Sequence, residues 1–212
     1  MFKVEKPDVA FRRLLNELLP YAEKIVPRQP GETTQGVKIE SEPDFFNLYL
    51  LERGSANLCR LDDNLIVSTV FSPYVIGLAC YPGGGVYYSI ELGADSCIYQ
   101  IPRTRAQYLI NKLELQKELI SIISYKLSRM CFRDNCIFKY KSEDIVKGML
   151  AHLMEFPEDF RKNTSVLAFI EKRTTLSRSS IQRILATLKN ESKVHIVKSR
   201  LVNICDLSMT RK

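Results

Sequence analysis

No segment of this 212-residue chain approaches the roughly eighteen consecutive apolar residues that a membrane-spanning helix needs, so no transmembrane helix is expected. The first residues, Met1 to Asp8, mix charges of both signs with no apolar run behind them, which predicts no secretory signal. Histidine is scarce. His152 and His195 stand far apart, no carboxylate pair flanks a nucleophile, and nothing is spaced for general acid–base chemistry, so the chain does not read as an enzyme. The six cysteines (Cys59, Cys80, Cys97, Cys131, Cys136 and Cys205) include no CxxC pair and no CxxC…HxxxH spacing. Cys131 and Cys136 lie far from both histidines, so no metal site and no cofactor are expected. The thiols read as reduced, in a cytoplasmic protein.

Acidic residues are nearly missing from the end of the chain. Between Lys172 and Lys212 there are ten Lys and Arg against two acids, Glu191 and Asp206, a net charge of +8. The rest of the chain carries −1, so the overall +7 is concentrated in its last fifth. A nucleic-acid-binding face would leave this footprint, and so would a solvated basic tail.

What is present separates into three parts: 1–112, 113–140 and 141–212. Phe11, Leu14, Leu15, Leu18 and Leu19 recur at helical spacing and predict a helix over Asp8–Ile25, ended by Pro27 and Pro30-Gly31. Short apolar runs then alternate with turn residues: Phe45–Leu51, Asn57–Leu61, Leu65–Phe71, Val86–Leu92 and Ser96–Ile101. Strands at such even spacing predict an antiparallel roll or small barrel. From Arg103 to Lys141 there is neither Gly nor Pro, which predicts a helix to about Lys112 and then a longer one. The longer helix carries Leu119, Ile123, Leu127, Met130 and Ile137. Ile123, Leu127, Met130, Asp134 and Ile137 step by four, three, four and three, the spacing of a dimer seam with one polar position. Packing of the same helix onto the preceding roll is the competing reading.

The last part opens at Ser142, read as an N-cap, with Glu143 and Asp144 suited to the first turn of a helix. Ile145, Met149, Leu150 and Leu153 form its apolar stripe and Pro157 closes it. A short helix, Val166–Lys172, follows, and Ser177 caps another that reaches about Asn190. Two apolar runs, Val194–Val197 and Leu201–Ile204, flank a basic turn that contains Lys198 and Arg200 and predict a β-hairpin. Helix, helix, turn, helix, hairpin is a winged helix-turn-helix order. In the helix after Ser177, Ile181, Ile184, Leu185 and Leu188 must face inward. Arg178, Ser179, Gln182 and Arg183 face out, beside Ser177 and Ser180 at the helix start. A helix entering the major groove of double-stranded DNA needs this division. Arg suits the O6 and N7 acceptors of guanine, Gln suits the N6/N7 edge of adenine, and the serines with the helix N-terminus suit a phosphate. A solvated surface helix with two arginines is the bland alternative.

The strand roll, the long helix and the run Leu176-Ser-Arg-Ser-Ser-Ile-Gln-Arg-Ile-Leu185 resemble the CRP/FNR superfamily of bacterial regulators. The recognition helix of that superfamily commonly reads Ser-Arg-Glu-Thr-Val-x-Arg-Ile-Leu, which Ser177, Arg178, Arg183, Ile184 and Leu185 match. The run Glu171–Ser180 is more similar to the IprA-type branch, which is linked to hydrogen peroxide resistance. The resemblance implies an α+β protein: an N-terminal jelly roll of the cyclic-nucleotide-binding kind, a long dimerisation helix and a C-terminal winged helix-turn-helix. It implies a homodimer, with Arg178, Ser179 and Arg183 reading bases. Ser179 replaces the family's Glu, and Thr175 stands where the turn normally has Gly. The stretch from Ile76 to Ser89, equivalent to the family's nucleotide-binding element, has no acid and no arginine, so a cyclic nucleotide is not expected even with the Gly83–Gly85 loop offering N–H groups. The effector is left open. The FNR-type iron–sulfur ligands are absent as well. Candidate redox thiols are Cys131, between Arg129 and Arg133, and Cys59, before Arg60, each otherwise a small buried hydrophobe. The sequence therefore supports a DNA-binding regulator. A module acting through ligand or protein contacts without DNA readout is the second class, and the Thr175 substitution is the one feature that hints at it.

Overall fold

The first helix is shorter than its apolar spacing predicts. In the computed structural model, which describes residues 4–25, 38–39, 47–78, 88–137, 139 and 141–206, α1 covers Asp8–Leu18 and buries Phe11, Leu14, Leu15 and Leu18. It stops well before Ile25 because Pro20 has no N–H to continue the ladder, and Leu19–Tyr21 tighten into a 3-10 turn. Glu23–Lys24 then form a short strand, β1. The expected terminators Pro27, Pro30 and Gly31 lie outside the described residues.

The strands are β2 (Lys38–Ile39), β3 (Asn47–Arg53), β4 (Ser55–Arg60), β5 (Ile66–Phe71), β6 (Tyr74–Ile76), β7 (Tyr88–Leu92) and β8 (Cys97–Pro102). They form two four-stranded antiparallel sheets, ordered β1-β8-β3-β6 and β2-β7-β4-β5. Gly54 alone carries the chain from β3 into β4. Its φ of +85° is the left-handed region, and a Cβ there would collide with Ser96. Leu50, Val75, Ile98 and Ile101 from one sheet share a core with Ala56, Val70, Ile90 and Leu92 from the other. Phe11 of α1 stacks on Tyr74 at 4.7 Å between ring centroids. β6 has no counterpart among the expected strands, because three residues are too few to show a period. Phe45 and Phe46, Cys80, the Gly83–Gly85 loop and the first residues of the expected strand Val86–Leu92 lie outside the described residues.

With neither Gly nor Pro available, the break between α2 (Arg103–Lys112) and α3 (Gln116–Ile137) falls on Glu114, whose φ is 53°. The Leu115 N–H donates to the Ile110 carbonyl at 2.9 Å and the Glu114 N–H to that of Asn111 at 3.3 Å. These are the two bonds of a Schellman cap, here built on a glutamate. This turn sets the phase of α3. Leu115 and Ile122 are buried and Leu119 packs with them against the core of the roll. The placement of Leu119 in a dimer seam is thus corrected, since it belongs to the inward stripe. The outward stripe is Ile120, Ile123, Leu127 and Met130, exposed by 65%, 42%, 59% and 50%. Asp134 pairs with Arg133 at 2.8 Å, and Ile137 is half-buried.

The chain divides into two units, Met1–Ser128 and Arg129–Lys212, so the last turns of α3 belong to the second. There α4 (Ser142–Met154) begins one residue earlier than expected. Ser142 is its first helical residue, Lys141 occupies the N-cap, and no side chain caps the helix. Val146, Met149, Leu150 and Leu153 are buried, with Ile145 only partly so. Gly148 lets α4 approach the end of α3, for a Cβ would lie 2.8 Å from the Cys136 carbonyl oxygen. Arg129 forms an ion pair with Glu155. α5 (Glu158–Asn163) was not expected, because it is polar and lacks an apolar period. α6 (Val166–Glu171) and α7 (Arg178–Asn190) complete the helices, and β9 (Val194–Val197) pairs antiparallel with β10 (Arg200–Ile204).

His152 sits in this second core, 9% exposed, with Phe132 stacked at 5.8 Å and Phe156 edge-on at 5.1 Å. Burial, followed by the fields of Arg129, Arg173 and Arg133, pushes its pKa down to about 3. An unfolded chain takes up this proton near the ordinary pKa of 6.5, whereas the folded one holds the imidazole neutral. Stability is therefore unaffected by His152 above pH 6.5 and falls as pH drops from there toward 3. The slope approaches about 1.4 kcal/mol per pH unit. Chemical denaturation at stepped pH should show this slope, and His152→Phe should flatten the curve relative to wild type. Parallel curves for the two proteins would contradict it.

Candidate nucleic-acid interface

α7 owes its start to Ser177, whose Oγ accepts the Ser180 N–H at 3.3 Å, with the Ser180 and Ser179 hydroxyls at 3.0 and 3.2 Å. The Ser177 hydroxyl thus closes the helix end. Ile181, Leu185 and Leu188 are buried and Ile184 partly so, as their spacing predicts. With about 100° of rotation per residue, the line opposite that buried face runs through Ser179, Arg183, Ala186 and Asn190. All four are exposed. Gln182 and Lys189 flank this line on one side, and Arg178 lies further round the same flank.

The candidate residues therefore do not stand alike. Arg183 is exposed and has no ion-pair partner among the described residues; neither do Lys189 and Lys198. Arg178 is tied down: its Nη1 lies 3.2 Å from Oε2 of Glu171, the last residue of α6. The turn between α6 and α7 is braced from within. Arg173 is buried, donates to the Phe169 carbonyl at 3.2 Å and lies over the Phe169 ring at 3.9 Å. Thr174 donates to the Ile170 carbonyl at 3.0 Å. No residue of this turn has a positive φ, so Thr175 fits where a left-handed turn would have asked for Gly.

β9 and β10 are joined by Lys198 and Ser199, with φ of 46° and 65°, a two-residue turn of the kind that matches strand twist. Each non-glycine residue held there costs about 1 kcal/mol. The Ser199 carbonyl accepts the Val166 N–H at 2.9 Å, fastening the hairpin tip to the start of α6. Lys198 is exposed and Arg200 half-buried.

The charge count of the sequence overstates this face. Arg173 is internal, Arg178 is paired, and Lys193 pairs with Glu191 at 2.7 Å, a hydrogen bond that raises the lysine's pKa. Arg211 and Lys212 lie outside the described residues. Arg183, Lys189, Lys198 and the exposed Lys172 carry the accessible charge. Lys189, Ala186, Asn190 and Glu171 were absent from the expected site. The first three were legible from the helical period once the helix end was known, whereas the Glu171 contact left no signal.

Residues 142–209 match the family described as winged helix-turn-helix DNA binding. The second unit is a winged helix-turn-helix domain. α6 and α7 are the two helices of its helix-turn-helix, and β9–β10 is the hairpin that follows them. Along the whole chain, the protein named inhibitor of hydrogen peroxide resistance from Salmonella typhimurium is 24% identical over 207 residues, 96% of this chain and 97% of that protein. Its Escherichia coli namesake is 22% identical over 205 residues, with the same coverage. Among solved structures, the c-di-GMP responsive global regulator CLP of Xanthomonas campestris superposes with a TM-score of 0.64 at 16% identity, covering 92% of this chain and 100% of that one. A CooA variant from Carboxydothermus hydrogenoformans gives 0.65 at 13% identity, over 96% and 94%. The fold joining roll, long helix and winged domain is that of the CRP/FNR regulators.

The thiols fall into two environments. Cys59 is buried with its Sγ 3.7 Å from a Glu91 carboxylate oxygen, and burial followed by the Glu155 charge pushes Cys136 up to about 11. The setting of Cys136 does not favour a thiolate. Cys131 is exposed on α3 beside Met130. No group of three or more His, Cys, Asp or Glu among the described residues could hold a metal ion, and no helix among them is long and apolar enough to cross a membrane.

Proposed function

We propose that this protein is a homodimeric transcription regulator that reads double-stranded DNA in the major groove through Ser179, Gln182 and Arg183. In this reading Ser177 and Ser180 shape the helix end that meets a phosphate, and Lys198 with Arg200 carries the wing onto the backbone. The observation that supports it most is the central line of α7, where an unpaired arginine stands between small and polar residues above a buried apolar face. Arginine in that setting offers a fork to guanine, and Ala186 leaves room for close approach. The outward stripe of α3, Ile123, Leu127 and Met130 joined by Ile120, supports the pairing of two copies. The roll acts as an effector-like domain that has lost cyclic-nucleotide recognition, consistent with the lack of acid and arginine between Ile76 and Ser89. The names of the relatives support a place in the response to peroxide.

Purified full-length protein, offered sheared genomic DNA, should select fragments sharing a palindromic site. Its affinity should fall steeply with salt as counterions are released. Repeating the selection in cells with and without hydrogen peroxide tests the stress role. Equal binding to every fragment would remove the sequence-specific reading.

A further inference from the structure

We propose that Cys97 is a peroxide-reactive thiol, oxidised to a sulfenic acid in a cleft that it shares with Lys24, Glu52, Arg53 and Tyr99. The inference rests on the peroxide role proposed above and gives that role a chemical centre. The cleft is open, has a volume of about 430 Å³ and lies at the β1 edge of the sheet β1-β8-β3-β6. Strand register brings the group together. Lys24 on the edge strand β1 stands opposite Tyr99, and Arg53 stands opposite Cys97 across the other side of β8. Directly paired residues project to the same face, and so do Cys97 and Tyr99, two apart on one strand. The pairing of β3 with β8 slips at Glu52, so two residues of β3 meet Cys97 and the carboxylate joins the cleft. Cys97 is only 8% exposed, whereas Lys24, Glu52 and Arg53 are exposed, so a buried sulfur lies behind charged side chains.

Two cations against one carboxylate leave the cleft with an excess positive charge, which a thiolate on Cys97 cancels. Arg53 donates from Nε to the Asp95 carbonyl at 3.1 Å, a neutral acceptor that steadies the guanidinium without neutralising it. Tyr99 meets a second need. Its hydroxyl is bonded to Cys97 and lies 3.3 Å from Oε2 of Glu52. The bond to Cys97, followed by burial, pushes the phenol up to about 12, so it keeps its proton near neutral pH and remains a donor. In the reaction the thiolate attacks one peroxide oxygen, forming an S–O bond and breaking the O–O bond. The electron pair leaves with the other oxygen as hydroxide, which takes up the proton the thiol gave up and departs as water. Sulfur is oxidised by two electrons to the sulfenic acid while the peroxide is reduced. The Tyr99 hydroxyl stands beside the sulfur to donate to the departing oxygen.

The test uses reduced full-length protein, substoichiometric hydrogen peroxide and dimedone, which traps sulfenic acids, with the adduct at each cysteine read by peptide mass spectrometry. Cys97 should be labelled several-fold faster than Cys131 and Cys205, although both of those are exposed. The buried thiols Cys59 and Cys136 report any labelling that needs the chain to open. Lys24→Gln combined with Arg53→Gln should slow Cys97 several-fold and move its rate profile to higher pH. Cys131, Cys205 and Tm should not change, because both altered side chains are exposed. Tyr99→Phe should also slow Cys97 and leave the exposed thiols as they were. Label that falls first on another cysteine, or on Cys97 no faster than on Cys59 and Cys136, would overturn the proposal. So would a charge-neutralised variant that reacts like wild type. If DNA selection in cells responds to peroxide while Cys97 stays unlabelled, this thiol fails and the stress role stands. If Cys97 is labelled and selection does not respond, the site stands and the stress role fails.

Discussion

Leu127→Glu is expected to leave the chain folded and to turn the homodimer proposed above into a monomer. Leu127 is more than half exposed in the single chain, so a carboxylate there meets water and far-UV circular dichroism should not change. In a symmetric pair of α3 helices the same position is buried twice, once from each copy. Fully burying a leucine side chain is worth about 1.5–3 kcal/mol, and Leu127 is only 59% exposed to begin with, so two lost leucines weaken the pair by about 3 kcal/mol, before the repulsion of two facing carboxylates is added. That is roughly a 150-fold rise in dissociation constant. Light scattering or sedimentation across a concentration series would reveal it. Binding to a palindrome should fall with it, because two linked recognition helices gain from the effective concentration of the second. A variant that stays dimeric would move the interface elsewhere.

Arg183→Ala should cost about 1–3 kcal/mol on the selected site, roughly five- to 150-fold in affinity, and flatten the preference at one base pair of each half-site. Scrambled duplex should be affected far less. The residue is well placed for this, because no carboxylate among the described residues holds it and its position on α7 faces directly away from Ile181 and Leu188. The resemblance places Arg178 among the base readers beside Arg183, which implies an equal cost for Arg178→Ala. With Arg178 paired to Glu171, its loss on the selected site should be the smaller of the two. Equal affinity of Arg183→Ala and wild type on the selected site would remove Arg183 from the readout.

These expectations show what the amino-acid order reveals and what it hides. The helix α7 was legible because its inward positions repeat at 3.6 residues and Ser177 marks its start. The hairpin was legible from two apolar runs about a short basic turn. The roll was legible as alternation of strands and turns, although a three-residue strand such as β6 escapes any periodic reading. α3 shows where local pattern runs out. With the residue before it, α3 carries two apolar stripes one residue apart, Leu115–Leu119–Ile122 and Ile120–Ile123–Leu127, and either satisfies helical spacing. Which faces the roll depends on the left-handed step at Glu114, a residue whose type gives no hint of that backbone. Arg173 and Arg178 were hidden for another reason. Charge is counted along the chain, whereas a ring beneath a guanidinium or a carboxylate seven residues away is known only once the turn has closed.

The bond from Val166 to the Ser199 carbonyl also bears on the DNA itself. A hairpin tip free to swing would settle on whichever phosphate was nearest and tolerate grooves of many widths. Fastened to α6, and carried on two residues already held in a costly backbone state, the tip behaves as the fixed jaw of a calliper whose other jaw is α7. On the proposed reading, a bound duplex has to come to that spacing. Base steps that bend or narrow easily between the two jaws then become part of what is recognised, at positions no side chain touches.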